Sequence, residues 1–468
     1  MKPATLSQLL ASSTSLHGER TALVGPSGPS ITFDQLARRA EAVSLALGPS
    51  RGEVIGLKSP NCPEWAVAFF GILGSGAAVL PLDPHLTPEE LANAREQFGC
   101  KRILGLDLPL EPAAAGKEGG SLPAASAADL AVLIASSGTT GKPKGVMLSH
   151  ANLLANLGQF RALFPLGPED AFLGLLPLHH AFPLMGCLLA SVSCGGRLVF
   201  PEGLRPPVLL QTISNGGVSH ALFVPGLLRL ILKTVEKAGG PGALGPAFRT
   251  AVVGGAPCPP ALLQAAETLG VKVLQGYGMS EASPVITLNT FEANRPGSVG
   301  RAVPGLEMRI EGTGEGELLV RGPNVMMGYW QDEARTAEAL QDGWLRTGDI
   351  AVRDPDGYLW IRGRSKNVII SESGKNVYPE EIEAELAKSE LFRESCVLGM
   401  QTDGSERIVA VVVPLQPMTP EQARAEVTAR CATLAEFKRV QDVVVWEKEL
   451  PKTASGKVKI TAVREALR

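Results

Sequence analysis

The sequence predicts an α/β protein: a large N-terminal domain of β-sheets packed with helices, a small β-barrel-like subdomain, and a small α+β C-terminal domain. Three observations predict it. Helix and strand patterns alternate from about residue 31 to about residue 275. From Arg295 the texture changes to short strands between glycine-rich turns. Beyond Gly363, roughly a hundred residues mix strand and helix patterns, enough for a small domain of their own. A chain of 468 residues with 45% hydrophobic and 19% charged residues can bury a sizeable core. The expected domains are residues 1–362 and 363–468.

The elements follow in order. Ile31-Thr32-Phe33 reads as a short strand, and the helix after it opens at Thr32 or Asp34. Residues 53–57 form a strand. The most apolar run, residues 67–82, is broken by Gly71, Gly74 and Gly76 and is too short to span a bilayer comfortably. It reads as a core helix and then a strand. Residues 106–128, rich in Ala, Pro and Gly, form a surface connection. Residues 131–134 and 145–148 are buried strands, and Ser149 caps a helix that runs on through Asn152. Short strands follow at 308–310, 317–320 and 358–361. In the last region Pro379 opens a helix with acids at its positive end. Residues 409–413 make a strand, 421–434 a helix and 443–446 a strand.

Bulk properties exclude several classes. A formal net charge of −3 argues against a nucleic-acid binder. The seven cysteines include no C-x-x-C pair, and the six histidines lack metal spacing. Zinc sites and disulfide frameworks are not expected, and reduced thiols point to a cytoplasmic location. Met1-Lys2-Pro3-Ala4-Thr5 opens no signal-peptide stretch, and no transmembrane segment is expected.

The most informative string is residues 136–145, Ser-Ser-Gly-Thr-Thr-Gly-Lys-Pro-Lys-Gly, with four hydroxyls, three glycines and two lysines. Glycines let backbone N–H groups approach an anion, hydroxyls add donors, and lysines add compact charge. A polyphosphate suits such a loop. The Walker pattern does not fit, because Lys142 is followed by Pro143, which has no N–H to give. The loop also joins two strands, whereas a Walker loop joins a strand to a helix. A plain solvated turn of similar composition is common, but this ordered string is not.

The string resembles the phosphate-loop signature of the adenylate-forming superfamily: acyl- and aryl-CoA synthetases, nonribosomal-peptide adenylation domains and beetle luciferases. Nearly the whole chain shares the resemblance. It implies ATP-phosphate contacts for Ser136, Ser137, Gly138, Thr139, Thr140, Gly141 and Lys144, with Thr139 also catalytic. In Leu176-Pro177-Leu178-His179-His180-Ala181-Phe182, His180 takes the family's carboxylate-pocket position. Ala251-Val252-Val253-Gly254-Gly255-Ala256-Pro257 matches the segment lining the adenine and acyl sites, through Gly255 and Ala256. In Gln275-Gly276-Tyr277-Gly278-Met279-Ser280-Glu281, Tyr277 can stack on adenine, Ser280 can donate to phosphate, and Glu281 is a hard oxygen ligand for Mg²⁺.

Asp349, after the glycine turn of Gly343-Trp344-Leu345-Arg346-Thr347-Gly348-Asp349, can accept both ribose hydroxyls, and Arg364 matches a second ribose contact. Lys366 matches the interdomain hinge, which makes the C-terminal domain mobile. Gly374 matches the glycine beside which the thiol arm of coenzyme A passes. Asn367 departs from the commoner Asp in the manner of long-chain acyl-CoA and acyl-carrier-protein synthetases. Lys457, in Leu450-Pro451-Lys452-Thr453-Ala454-Ser455-Gly456-Lys457, matches the lysine that serves adenylation, although Val458-Lys459-Ile460 lacks the family's usual downstream Arg.

What the resemblance implies is chemistry in two steps. A carboxylate attacks the α-phosphorus of ATP to give an acyl adenylate and pyrophosphate, and a thiol then displaces AMP. The closest resemblance is to long-chain fatty acyl-CoA synthetases, from residues 371–383. Expected partners are therefore a fatty acid, ATP with Mg²⁺, and coenzyme A. The alternatives are an acyl-carrier protein as acceptor or an aryl acid as substrate.

Overall fold

The structure is a computed structural model that describes residues 2–26, 30–105, 125–136, 143–371, 375–402, 405–452 and 458–467. The expected site residues Ser137, Gly138, Thr139, Thr140, Gly141, Gly374 and Lys457 lie outside them, as does most of the 106–128 connection.

The chain divides into two compact units. The first is residues 1–308, 320–345 and 356–358, and the second is residues 309–319, 346–355 and 359–468. Residues 359–364 pair as an antiparallel ladder with residues 349–353, from Asp349↔Arg364 to Arg353↔Leu359, which ties them to the second unit.

The first unit holds two sheets. In the larger, the strands Val273–Gly278, Thr250–Val253, His220–Phe223, Ala171–Leu173, Arg197–Val199 and Thr21–Val24 run parallel in that spatial order. Antiparallel strands finish both edges. Every residue of His220–Phe223 and Thr250–Val253 is buried, as expected where helices cover both faces of a parallel sheet. Helices Pro206–Asn215, Pro225–Lys237 and Pro260–Thr268 supply Leu209, Ile213, Leu228, Ile231, Val235 and Ala266 to one core.

The second sheet has the order Gly328–Tyr329, Lys144–Ser149, Leu130–Ser136, Ala78–Leu82, Val54–Lys58 and Arg102–Leu104. Its middle is a hairpin running from Leu130↔Ser149 to Ser136↔Lys144. Two strands therefore flank residues 137–142, as the sequence predicts. Ser149 caps His150–Leu163 in a capping box with Asn152. The apolar run becomes helix Pro63–Gly74 and strand Ala78–Leu82. No described helix is long and apolar enough to cross a membrane.

In the second unit, strands Phe392–Thr402, Ser405–Pro414 and Asp442–Val445 form a sheet against helices Pro379–Leu386 and Pro420–Arg430. The helix predicted over 421–434 ends earlier, at Arg430. The chain tightens there into a 3₁₀ turn, Cys431–Thr433, whose Cys431 is buried in the same core.

Candidate functional site

In the first unit the chemistry-bearing segments follow the C-terminal ends of parallel strands, where open α/β sheets bind ligands. His180 comes after Ala171–Leu173, Gly254 and Gly255 after Thr250–Val253, and Tyr277 lies near the end of Val273–Gly278. A Cβ on Gly254 would stand 3.4 Å from the Gly276 carbonyl and 3.5 Å from the Phe182 ring, so these three stretches are neighbours. Gly255 has φ +78, which glycine adopts freely, and Ala256 beside it is exposed. Gly278 is fixed by packing, because a Cβ there would meet the Pro284 carbonyl at 2.0 Å.

His180 is half-buried, and its ring lies 4.3 Å from that of His179. Burial, and then the charge His180 would carry, hold His179 down to about 4, so His179 is neutral at physiological pH. The sequence reading missed Asn61, which braces this loop. Its amide donates to the carbonyls of Gly174 (3.0 Å) and Leu176 (2.7 Å) and accepts from the Leu178 N–H (2.9 Å). A π-helical turn, Leu184–Leu189, follows directly, a form often found at functional sites.

Lys144 and Glu281, 137 residues apart, meet: Lys144 Nζ donates to Glu281 Oε1 at 2.7 Å. The Tyr329 hydroxyl completes a triangle, accepting from Lys144 Nζ at 2.9 Å and donating to Glu281 Oε1 at 2.9 Å. Lys144 Nζ also lies 4.6 Å from the centre of the Tyr329 ring. The Glu281 side chain is only 6% exposed. Burial alone would raise its pKa; the charge and hydrogen bond of Lys144, with the Tyr329 hydroxyl, outweigh burial and hold the carboxyl below its ordinary value. A buried, ionised oxygen donor fits a hard divalent cation. Among the described residues no cluster of three His, Cys, Asp or Glu could hold a metal. A Mg²⁺ ion here would thus take most of its ligands from phosphate and water, as this ion usually does.

Three buried amides, none of them anticipated, hold the Ser280–Ala282 turn that carries Glu281. Asn156 accepts from the Val285 N–H (3.0 Å) and donates to the Val285 carbonyl (2.9 Å). Asn324 donates to the Ala282 carbonyl (2.8 Å), and Gln159 bridges Asn156 and Asn324. Ser280 sits half-buried at the start of this turn. Ser136 pairs with Lys144 across the hairpin, and its hydroxyl donates to the Lys144 carbonyl at 3.4 Å.

The second unit contains the other acidic centre. Asp349 and Arg364 face each other across antiparallel strands, with Arg364 Nε 2.8 Å from Asp349 Oδ1. Arg364 also donates to the Thr347 carbonyl (3.2 Å), and the Thr347 hydroxyl accepts from the Asp349 N–H (3.1 Å). Gly348 has φ +70 and donates its N–H to Glu317 at 3.0 Å. A Cβ on Gly363 would stand 2.3 Å from a Glu380 carboxylate oxygen, so a side chain there would push the Glu380 carboxylate aside. Lys366 is exposed in the 3₁₀ turn Ser365–Asn367.

The AMP-binding enzyme family matches residues 10–330, and its C-terminal domain matches residues 381–457. The chain belongs to the AMP-binding enzyme family. It is an AMP-forming acid–CoA ligase. It is 30% identical to a long-chain-fatty-acid–CoA ligase of Yersinia pestis, over 92% of this chain and 89% of that one. Identity to a feruloyl-CoA synthase of an Amycolatopsis species is 32%, over 92% and 93%. The o-succinylbenzoate CoA synthetase of Bacillus subtilis, solved with its acyl-adenylate intermediate, is similar in structure, with TM-score 0.87, 26% identity and 97% coverage of each chain.

Proposed function

We propose that this ligase activates a fatty acid with ATP and passes the acyl group to coenzyme A. The observation that carries the adenylation part is the Lys144–Glu281–Tyr329 centre, which joins an ammonium and an ionised carboxylate beside the ends of the phosphate-loop hairpin. Lys144, with Ser136, Ser137, Gly138, Thr139, Thr140, Gly141 and Ser280, would neutralise and orient the phosphates. Glu281 would hold the magnesium ion, which when bound supplies charge neutralisation on the phosphate oxygens. Tyr277 would stack on adenine, with Gly255 and Ala256 at the ring edge, and Asp349 and Arg364 would take the ribose. His180 would face the acid's carboxylate. Lys457 would neutralise the charge that concentrates at the α-phosphate during attack. Lys366 is the proposed hinge of a domain division at residues 362 and 363, and Gly374 is the proposed residue beside which the thiol arm would pass.

Fatty acid is favoured by residues 371–383 and Asn367, which resemble long-chain synthetases, and by the Yersinia relative's name. Aryl acid is the second reading, favoured by the feruloyl-CoA synthase, which is as similar over as much of the chain. The test offers fatty and aryl acids in turn, with ATP and equal amounts of coenzyme A and an acyl-carrier protein, and reads products by mass spectrometry. Fatty acyl-CoA is expected. Aryl-CoA alone, or acyl-carrier product without acyl-CoA, would replace this reading.

A further inference from the structure

We propose that Tyr329 is a positioning residue of the nucleotide site: its hydroxyl, shared between Lys144 and Glu281, fixes where the ammonium and the carboxylate stand before the triphosphate and its cation arrive. The inference rests on the reading above, in which these two side chains serve phosphate and cation.

The geometry carries it. The three contacts, 2.7, 2.9 and 2.9 Å, close a triangle. A hydroxyl suits its third corner, because it accepts from the ammonium through a lone pair and donates its one proton to the carboxylate. A lysine–carboxylate pair alone is poorly fixed, since the lysine stem has many rotamers and the ammonium is a point charge without directional preference. Tyr329 is itself fixed. It is 6% exposed and lies in an antiparallel ladder against the strand that bears Lys144, with Tyr329↔Val146 and Gly328↔Met147 in register. The ladder is extended on both sides by Met327 N–H to the Met147 carbonyl (2.9 Å) and Trp330 N–H to the Gly145 carbonyl (2.8 Å). The Met326 N–H reaches the Glu281 carbonyl at 2.9 Å, so one segment holds both sides of the centre.

The arrangement has a consequence for binding. The ammonium has three N–H donors, of which Glu281 and Tyr329 take two, so Lys144 can reach a phosphate with its third donor or by turning from Glu281. Either way Glu281 keeps the Tyr329 donor, and the carboxylate does not swing free as the cation is captured. Removing the hydroxyl therefore loosens the site in the loaded state as well as the empty one.

The experiment titrates Mg·ATP into the full chain by calorimetry for the wild type, Tyr329→Phe and Tyr329→Leu. Melting temperatures and the rates of the two half-reactions are measured alongside. Phe keeps the ring and the packing and loses only the hydroxyl. The expected result is Mg·ATP binding weakened about tenfold in the Phe variant, the size of one hydrogen bond to a charged group. The ratio of adenylate formation to thioester formation from supplied acyl adenylate should fall, with the melting temperature held. Phe binding within about twofold of wild type, with or without a loss in Leu, would overturn the proposal. So would an equal fall in both half-reactions together with a lower melting temperature. A wild type that binds Mg·ATP but adenylates no acid would refute the fatty-acid reading alone, and the binding arm would still judge Tyr329.

Discussion

Glu281 and Asp349 are both carboxylates held against a cation, but they are built in opposite ways. Asp349 meets Arg364 through the register of one hairpin, and the arginine is 48% exposed. Glu281 meets Lys144 across 137 residues, with both side chains largely enclosed, and the turn beneath it rests on the buried amides of Asn156, Gln159 and Asn324. A hairpin pair needs only its own ladder. A long-range pair needs a fully satisfied polar scaffold, and such scaffolds fail expensively because each orphaned group is desolvated.

The contrast can be broken first at that scaffold. Asn156→Leu takes the partner from the Val285 N–H and from Gln159 Oε1 and leaves the Val285 carbonyl only its 3.4 Å contact with Asn324, which costs about 2–6 kcal/mol at about 1–3 kcal/mol for each of the two buried orphans. Chemical denaturation should show the loss, and a change below about 1 kcal/mol would mean that the amides are not what holds the turn.

Acid should separate the two units next. His150 is 2% exposed, accepts the Leu6 N–H at 3.2 Å, and is held by burial at about 4 against its ordinary 6.5. The unfolded chain takes up that proton first. The stability His150 contributes is therefore present above pH 6.5 and is lost as pH falls through about 4. At 1.36 kcal/mol per pH unit the loss is about 3 kcal/mol. Glu383, in the second unit, works the other way. Burial pushes it up to about 7, with the charge of Glu380 adding to the rise, so its contribution is present below pH 4.5 and fades as pH rises through 7. Hydrogen exchange at pH 7.5 and 5 should show residues packed against His150 opening more in acid and those around Glu383 opening less. A uniform response would remove the distinction.

The smallest effect belongs to the hairpin pair. Arg364→Ala should lower stability by about 1–2 kcal/mol, less than the scaffold change, because the half-exposed arginine lies where water can replace it beside Asp349, whose side chain is 5% exposed. A larger fall in denaturation free energy would make the second centre as interdependent as the first.

The same contrast decides what could be read from the sequence. The strands around residues 137–142, the Ser149 cap and the helix Pro379–Leu386 rest on local strings, and such strings carry their own geometry; that Lys144 meets Glu281 does not, and only the fold shows it. Tyr329 sits in a two-residue strand whose partner is some 180 residues earlier, and nothing about Gly328-Tyr329-Trp330 signals that register. Asn156 and Gln159 look like ordinary polar positions on a helix; only the fold shows that their face is buried against Asn324 and Val285. The helix Leu6–His17 escaped notice because Ser and Thr fill much of its middle, so its apolar period is faint. The helix predicted to Leu434 overran because its apolar positions continue into the 3₁₀ turn after Arg430.

Fatty-acid-dependent exchange of label between pyrophosphate and ATP, measured for the wild type beside Lys144→Ala and Glu281→Gln, tests the role of this centre most directly. Exchange in the wild type and a fall of about 10²–10³-fold in each variant are expected, the size of losing one charge-stabilising contact in the transition state. Thioester formation from supplied acyl adenylate should fall far less. No exchange with any fatty acid, or exchange undiminished in both variants, would contradict the assignment of this centre to fatty-acid adenylation.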